Sequence, residues 1–225
     1  MRASRDAAVD TMGCERCADP RAPPHVQRFQ HLVSLMLSPQ TRDPVVFAAM
    51  TALKAQPAGG CTAPALAALS EAALGALINK VGFWPTKARA IREAAALCAA
   101  PPLRGDIPRT YEQLLELRGV GPKIAHILML AAWQECTGIG VDTHVHRISN
   151  RLGWVRTKTP EETRVALEAL LPREQWAPLN VLFVGFGQQR CTPLAPACGG
   201  CLARDSCPTG SGRLPASPKK RVPDW

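Results

Sequence analysis

Two glycines and a proline separate two helical patterns in the stretch 117–123, which reads Leu-Arg-Gly-Val-Gly-Pro-Lys. Glycines spaced in this way permit a tight turn with positive φ and leave backbone N–H groups uncovered. Pro122 cannot continue a preceding helix, but it suits the first position of a new one. Apolar residues then recur with helical spacing, at Ile124, Ile127, Leu128 and Ala131. The pattern predicts a hairpin that leads into an amphipathic helix, with Lys123 on the first turn.

Lys123 has two interpretations at this point. A lysine on the first turn of a helix is most often a solvated surface residue. The partial positive charge of a helix N-terminus, however, disfavours an ammonium group, and an uncharged lysine amine is a nucleophile. The local sequence leaves both interpretations open.

Length and charge narrow the class of protein. The 225 residues suffice for one large domain or two small lobes. No apolar run approaches the roughly 18 residues of a membrane span, and the first ten residues lack the apolar segment of a secretory signal. The formal net charge of +9 favours a polyanionic partner, most simply nucleic acid, although a basic tail on an ordinary enzyme has the same effect.

Helical segments joined by short turns account for most of the chain, and alternating strand-like runs are nearly absent, so we expect an all-α fold. The predicted helices cover about 26–37, 43–53, 70–80, 85–99, 123–131, 142–153, 159–172 and 176–188. We expect Asp43 to cap its helix, and Thr110 and Thr159 to open capping boxes. Beyond Pro208 the Gly-, Ser-, Pro- and Lys-rich composition predicts a disordered tail.

Asp142 follows Lys123 by nineteen residues, in the segment Val-Asp-Thr-His. Asp142 is predicted to be the N-cap of a helix, and Gly153 is predicted to be the C′ residue that follows the end of this helix. Capping is compatible with catalysis, because a capping carboxylate is held in one rotamer and can stabilise a developing positive charge. His144 and His146 lie two residues apart and do not share a helix face, so we do not expect a zinc site from them.

Four cysteines, Cys191, Cys198, Cys201 and Cys207, fall within 17 residues. This spacing indicates metal ligation by thiolates and allows either zinc or a [4Fe–4S] cluster. An odd total of nine cysteines without a secretory signal favours a reducing compartment over disulfides. Cys14 and Cys17 have no second pair beside them, so we expect them to be unliganded.

Together these segments resemble the endonuclease III family of DNA glycosylases, over nearly the whole chain from about Arg21 to Pro208. That family carries the pattern LPGVGxK, then VDTH, then a C-x6-C-x2-C-x5-C site, and this chain has LRGVGPK, VDTH and the same cysteine spacing. The segments LSPQT at 37–41 and VGFW at 81–84 also resemble the family. The VHRI and GFGQQ runs are most similar to its eukaryotic branch.

The resemblance implies a helix-hairpin-helix DNA glycosylase fold of two lobes. A six-helix barrel with the hairpin would cover 22–136, a cluster lobe would combine 1–21 with 137–209, and a disordered basic tail would cover 210–225. The four cysteines would hold a [4Fe–4S] cluster.

The implied activity is that of a bifunctional DNA glycosylase and AP lyase of base excision repair. Lys123 would be the nucleophile and Asp142 the catalytic carboxylate. The enzyme would remove oxidised pyrimidines from duplex DNA through a Schiff base and nick the strand by β-elimination. Its partner would be double-stranded DNA with oxidised pyrimidines or abasic sites, and we expect a monomer.

The resemblance also assigns residues that contact DNA. The N–H groups of Gly119 and Gly121 would hold a backbone phosphate. Gln40 and Phe83 would fill the gap left by a flipped nucleotide, and His144 and Arg147 complete the expected DNA-facing set. The chain departs from the family at Arg118, where proline is usual.

Two alternatives remain at this stage. An adenine-specific mismatch glycosylase shares the fold but lacks the lysine and carries a further C-terminal domain. A non-catalytic, cluster-bearing DNA-binding protein would need neither Lys123 nor Asp142. For localisation, the basic run within 217–222 favours the nucleus, with delivery to the mitochondrion as the other option.

Overall fold

The computed structural model of the chain describes residues 6–213, which form α-helices and short 3₁₀ turns without a strand. The helices are α1 (Ala8–Met12), α2 (Pro24–Leu37), α3 (Asp43–Ala55), α4 (Ala63–Ala68), α5 (Glu71–Ile78), α6 (Trp84–Ala99), α7 (Tyr111–Leu115), α8 (Pro122–Trp133), α9 (Thr143–Arg151), α10 (Pro160–Leu170) and α11 (Trp176–Gln189). The prediction of an all-α fold is confirmed. No helix of the described part is both long and apolar enough to cross a bilayer.

Several local predictions hold in the structure. The side chains of Thr110 and Thr159 accept hydrogen bonds from the N–H groups of Gln113 and Glu162, at 3.3 and 3.2 Å, as N-caps do. Gly153 follows α9 with φ of +71°, the left-handed conformation expected of a C′ glycine.

Other local predictions were wrong. Asp43 is the first residue of α3 and Arg42 is its N-cap, so the Asp43 carboxylate lies in the first turn. A carboxylate there still interacts favourably with the helix dipole. The short helices α1 and α4 were not predicted, because five or six residues are too few to show a helical period.

The described residues form two compact units. The hairpin unit contains residues 12–137, and the C-terminal unit contains residues 6–11 and 138–213. Residues 12–21 therefore belong to the hairpin unit, whereas the family resemblance implied that they would belong to the cluster lobe. Residues 214–225 of the predicted tail lie outside the described residues.

Helix α2 forms the centre of the hairpin unit and packs against α3, α6 and α8. Nearly every residue from Phe29 to Leu37 is buried. A helix that buries its whole circumference must be enclosed by others. The loop that follows Leu37 and the hairpin before α8 are thereby attached to one core.

Residues 12–21 pack on this core because polar groups and thiols hold them there. Ser34 Oγ donates to the carbonyl of Cys14 at 3.1 Å, and Lys54 Nζ donates to the carbonyl of Cys17 at 2.8 Å. Burial raises the pKa of the Cys14 thiol to about 11 and that of Cys17 to about 12. The Cys17 side chain is part of the buried core, and the half-buried Cys14 packs against it.

The C-terminal unit is built around α9, which packs against α10 and α11. The core side chains are Ile139, Val141, Val145, Ile148, Val155, Leu167, Leu179, Phe183 and Phe186. The N-terminal segment joins this unit through Val9, whose N–H donates to Gln188 Oε1 at 3.1 Å. Of the residues of α9 (Thr143–Arg151), Val145 and Ile148 belong to this core.

Candidate active site

The hairpin before α8 needs a glycine at only one of its two glycine positions. Gly119 has φ of +86°, and a Cβ added there would lie 3.4 Å from Ala90 Cβ. Gly121 is extended, with φ of −107°, and a Cβ there would meet nothing within 4 Å. The expectation of positive φ is therefore met at Gly119 alone. Gly121 leaves space over the first turn of α8, where helix N–H groups have no acceptor within the helix.

Lys123 is the second residue of α8, directly after Pro122, and is half-buried. Its charge acts on the neighbouring Cys14 thiol and lowers the pKa of that group, although burial is the larger effect and raises it. The half-buried Lys123 thus lies near Cys14, at the start of the predicted amphipathic helix.

Asp142 is the N-cap of α9 in the C-terminal unit. Its Oδ1 accepts a hydrogen bond from the N–H of Val145 at 2.8 Å, which confirms the predicted cap. The preceding loop is also fixed, because Asn180 Nδ2 donates to the carbonyl of Gly140 at 2.6 Å and the N–H of Ile139 donates to Glu168 Oε1 at 2.8 Å. The carboxylate is therefore held in one orientation.

His144 and His146 point towards different elements of the C-terminal unit. His144 Nδ1 lies 3.1 Å from Arg147 Nη2, and a Cβ at Gly187 would lie 2.3 Å from the same ring nitrogen. His146 Nδ1 lies 2.6 Å from Thr163 Oγ1. The two rings thus have separate partners, in agreement with the helix geometry argued from their spacing.

Arg147 forms hydrogen bonds within the C-terminal unit. Its Nη2 also donates to the carbonyl of Cys191 at 2.9 Å. Burial lowers the pKa of Arg147, and the opposite charges of Cys191 and Asp142 act against this effect. The guanidinium therefore links the helix that Asp142 caps to the start of the cysteine-rich loop.

The four cysteines line one recess of the C-terminal unit, together with Arg151. Burial, followed by the charges of the other three cysteines, raises the pKa of Cys198. Arg151 is only 5% exposed, and its Nη1 donates to Cys191 Sγ at 3.3 Å. The same side chain donates to the carbonyls of Thr192 and Pro193 at 2.7 and 2.6 Å. Sequence reasoning missed Arg151, whose only signal was a basic residue in the last turn of a helix.

The thiols of this recess and the polar groups beside them could hold a metal-containing group. Within residues 6–213, no set of three or more His, Cys, Asp or Glu side chains is already arranged around a single metal-ion position. Cys207 Sγ also accepts from the N–H of Gly210 at 3.4 Å, and Arg151 Nε is buried without an acceptor in the described part. Donors directed at sulfur suit such a group.

Gln40 and Phe83 lie in two adjoining turns of the hairpin unit. Both have positive φ, +53° and +56°, which is uncommon for residues other than glycine. Phe83 is 60% exposed, and Gln40 is also exposed. The turns approach so closely that a Cβ at Gly82 would lie 2.6 Å from the carbonyl oxygen of Gln40. Strained backbone that presents an exposed aromatic side chain is typical of a functional surface.

Arg118, at the position where proline was expected, forms an ion pair with α6. Its Nη1 lies 3.0 Å from Glu93 Oε1, and both side chains are about half exposed. An exposed pair contributes at most about 1 kcal/mol. The hairpin is therefore held mainly by the buried side chains of Leu117 and Val120.

The glycine hairpin before α8, the capping aspartate and the four-cysteine recess define a class of protein, the helix-hairpin-helix base excision DNA repair enzymes. The model of the HhH-GPD superfamily of base excision DNA repair proteins matches residues 33–173. The chain belongs to the endonuclease III family of DNA glycosylases within this superfamily.

Individual relatives support this assignment. The chain is 52% identical to endonuclease III-like protein 1 of Gallus gallus, over 93% of this chain and 74% of the relative. It is 39% identical to endonuclease III of Thermotoga maritima, over 84% and 86% of the two chains. A solved structure of a trapped endonuclease III–DNA covalent intermediate superposes with a TM-score of 0.76 at 29% identity, covering 83% of this chain and 85% of the other. The expected helix-hairpin-helix glycosylase fold is confirmed.

The two hairpin glycines should respond differently to alanine. Gly119→Ala forces a side chain into the left-handed region and should lower the free energy of unfolding by about 1–3 kcal/mol. Gly121→Ala should change it by less than about 0.5 kcal/mol. Urea unfolding of both variants measures this difference, and equal destabilisation would contradict it.

Proposed function

We propose that this protein removes oxidised pyrimidines from duplex DNA and then nicks the strand, as a bifunctional DNA glycosylase and AP lyase. The observation that carries the proposal is Lys123 on the first turn of α8, directly behind the glycine hairpin. An adenine-specific mismatch glycosylase or a non-catalytic DNA-binding protein does not need an amine at that position. The relatives named endonuclease III-like protein 1, and the covalent endonuclease III–DNA intermediate, support the same proposal.

The reaction begins on a nucleotide that is flipped out of the duplex. The neutral amine of Lys123 attacks C1′ of the sugar, and the glycosidic bond breaks with its electron pair leaving on the base, which then takes up a proton. Asp142 stabilises the positive charge that develops on the sugar during this step. Its fixed rotamer, set by the bond from Val145, keeps the carboxylate ready for that role.

Strand cleavage follows from the chemistry of the Lys123 adduct. The sugar ring opens to a protonated imine between Lys123 Nζ and C1′, which acidifies the protons on C2′. Loss of one C2′ proton to a base breaks the C3′–O bond and expels the 3′ phosphate. Water then hydrolyses the imine and regenerates the amine of Lys123.

DNA is held through its phosphates and opened at the lesion. The N–H groups of the Gly119–Gly121 hairpin and the start of α8 face a backbone phosphate, which a helix N-terminus favours. Gln40 and Phe83 enter the gap left by the flipped nucleotide. On α9, His144 faces the DNA and Arg147 holds the ring of His144 in place. The phosphate contacts of the hairpin recognise the DNA backbone rather than the base sequence.

Cys191, Cys198, Cys201 and Cys207 hold a [4Fe–4S] cluster in this proposal. Full ligation by thiolates leaves no open position for a water molecule, so the group has a structural role and positions the C-terminal unit on DNA. Arg151 contributes by holding the loop 191–193 around the recess.

The protein acts as a monomer in this proposal, and in the nucleus, with the mitochondrion as a second destination. The basic run that supports nuclear delivery, within 217–222, lies outside the described residues. Alanine replacement of Lys219, Lys220 and Arg221 in a tagged protein tests it, because unchanged nuclear accumulation would exclude the run as the signal.

Lys123→Gln should abolish base release and covalent trapping with borohydride on abasic duplex DNA, while the variant still binds DNA. Glutamine cannot form an imine, and the substitution leaves the hairpin intact. Lys80→Gln, at an exposed lysine of the same unit, serves as the control and should trap like the original protein. Undiminished trapping by Lys123→Gln would place the nucleophile elsewhere.

Asp142→Asn and Asp142→Ala should separate capping from catalysis. Asparagine caps helices about as well as aspartate, so Asp142→Asn should keep the free energy of unfolding and lose base release by roughly a hundredfold or more. Asp142→Ala should lose the same activity and also about 1 kcal/mol of stability. Single-turnover base release and urea unfolding measure the two effects. A fully active Asp142→Asn variant would reduce the carboxylate to a cap.

Anaerobically prepared protein should contain about four irons and about four sulfides per chain, as one cubane requires. Cys198→Ser should lower both contents in parallel, whereas Cys136→Ser, outside the recess, should not. Elemental analysis checks the metal, and stoichiometric zinc in place of iron would contradict the proposed cluster.

A further inference from the structure

Lys87 lies on α6, four residues after Phe83, and is unusual in how it is bonded. Its Nζ donates to the carbonyls of Leu37 and Pro39 at 2.7 and 2.5 Å, and to Thr41 Oγ1 at 3.1 Å. A lysine ammonium has three donors, so these three acceptors satisfy the whole group. Pro39 and Thr41 belong to the loop that carries Gln40, and Leu37 is the last residue of α2 before that loop.

The same bonds place a cation at the end of α2. Leu37 is the last residue of that helix, so no N–H group of the helix donates to its carbonyl. A positive charge is favourable at a helix C-terminus. Burial nevertheless lowers the pKa of Lys87 to about 8, so holding the amine here has a cost in desolvation that the three bonds offset.

The second turn is joined to this network through Thr41. The N–H of Gly82 donates to Thr41 Oγ1 at 3.2 Å, and this oxygen also accepts from Lys87. The missing side chain at Gly82 allows the close approach to the carbonyl of Gln40. Lys87, Thr41 and Gly82 thus close a ring of hydrogen bonds between the turns that present Gln40 and Phe83.

We propose that Lys87 is a positioning residue that locks Gln40 and Phe83 into one rigid wedge for opening the duplex. The inference rests on the proposed function, in which these two side chains fill the gap left by the flipped nucleotide. Both residues hold sparsely populated backbone conformations and lie on the surface, so core packing of their own side chains does not fix them. A pair that is already ordered loses less conformational entropy when it enters the base stack.

The fluorescence of 2-aminopurine measures whether the proposed wedge opens the duplex, because this base becomes brighter when it is unstacked. The 2-aminopurine is placed next to a tetrahydrofuran abasic analogue in a duplex. Lys87→Met should bind the duplex but lose most of the fluorescence increase at saturating protein. Lys54→Met is the matched control, since the Lys54 amine also donates to a backbone carbonyl of the hairpin unit, away from the wedge. It should retain the full increase.

Borohydride trapping then separates duplex opening from chemistry. On an abasic site in a duplex, Lys87→Met should trap at least about tenfold more slowly than the original protein, because unstacking carries a substantial free-energy cost. On an abasic site in a single strand, where no stack must be opened, the two rates should agree within about twofold. A general structural defect would lower both rates together.

Thr41→Val provides a milder second variant, since it removes only the shared oxygen. It should reproduce the duplex-specific loss in part, and thermal unfolding shows whether each variant is folded. A folded Lys87→Met with full 2-aminopurine brightening, or an equal loss on single-stranded and duplex DNA, would overturn the positioning role. Absence of trapping by the original protein on either DNA would instead count against the proposed function.

Discussion

The burial of α2 is the constraint on which the hairpin unit depends. Nearly all of its residues from Phe29 onwards are enclosed by α3, α6 and α8. This helix therefore determines where α8 begins and where the loop after Leu37 emerges. The lysine proposed as the nucleophile and the two side chains proposed to enter DNA are all attached to the same core. Close packing makes such an arrangement rigid, because a packed interior deforms little.

The two residues proposed to be catalytic both lie at the start of a helix. Lys123 is the second residue of α8, directly behind the glycine hairpin. Asp142 caps α9, and the N–H of Val145 fixes its Oδ1. The first turns of two helices thus position the proposed nucleophile in one unit and the proposed carboxylate in the other.

Two groups of cysteines have different surroundings. Burial raises the pKa of the Cys14 and Cys17 thiols, of which Cys17 is buried in the apolar core and Cys14 packs against it half-buried. The four C-terminal cysteines surround one recess beside the buried guanidinium of Arg151, which suits thiolates. The CxxC spacing occurs in both groups. Whether a thiol is suited to the thiolate form therefore depends on its neighbours and not on this spacing.

The sequence by itself determined the longer helices, the left-handed conformation of Gly153, and the caps at Thr110, Asp142 and Thr159, because each depends on atoms within about one helical turn. Family patterns placed the lysine, the aspartate and the cysteines. Only the tertiary structure decided that Lys87 bonds across 46–50 residues to the loop of Gln40, and that Arg151 reaches across 40–42 residues to the cysteine loop. It also decided that residues 12–21 pack with the hairpin unit. No local sequence pattern predicts such contacts. The partners of a buried cation lie far away in the sequence, and they come within hydrogen-bond distance only when the whole unit is packed.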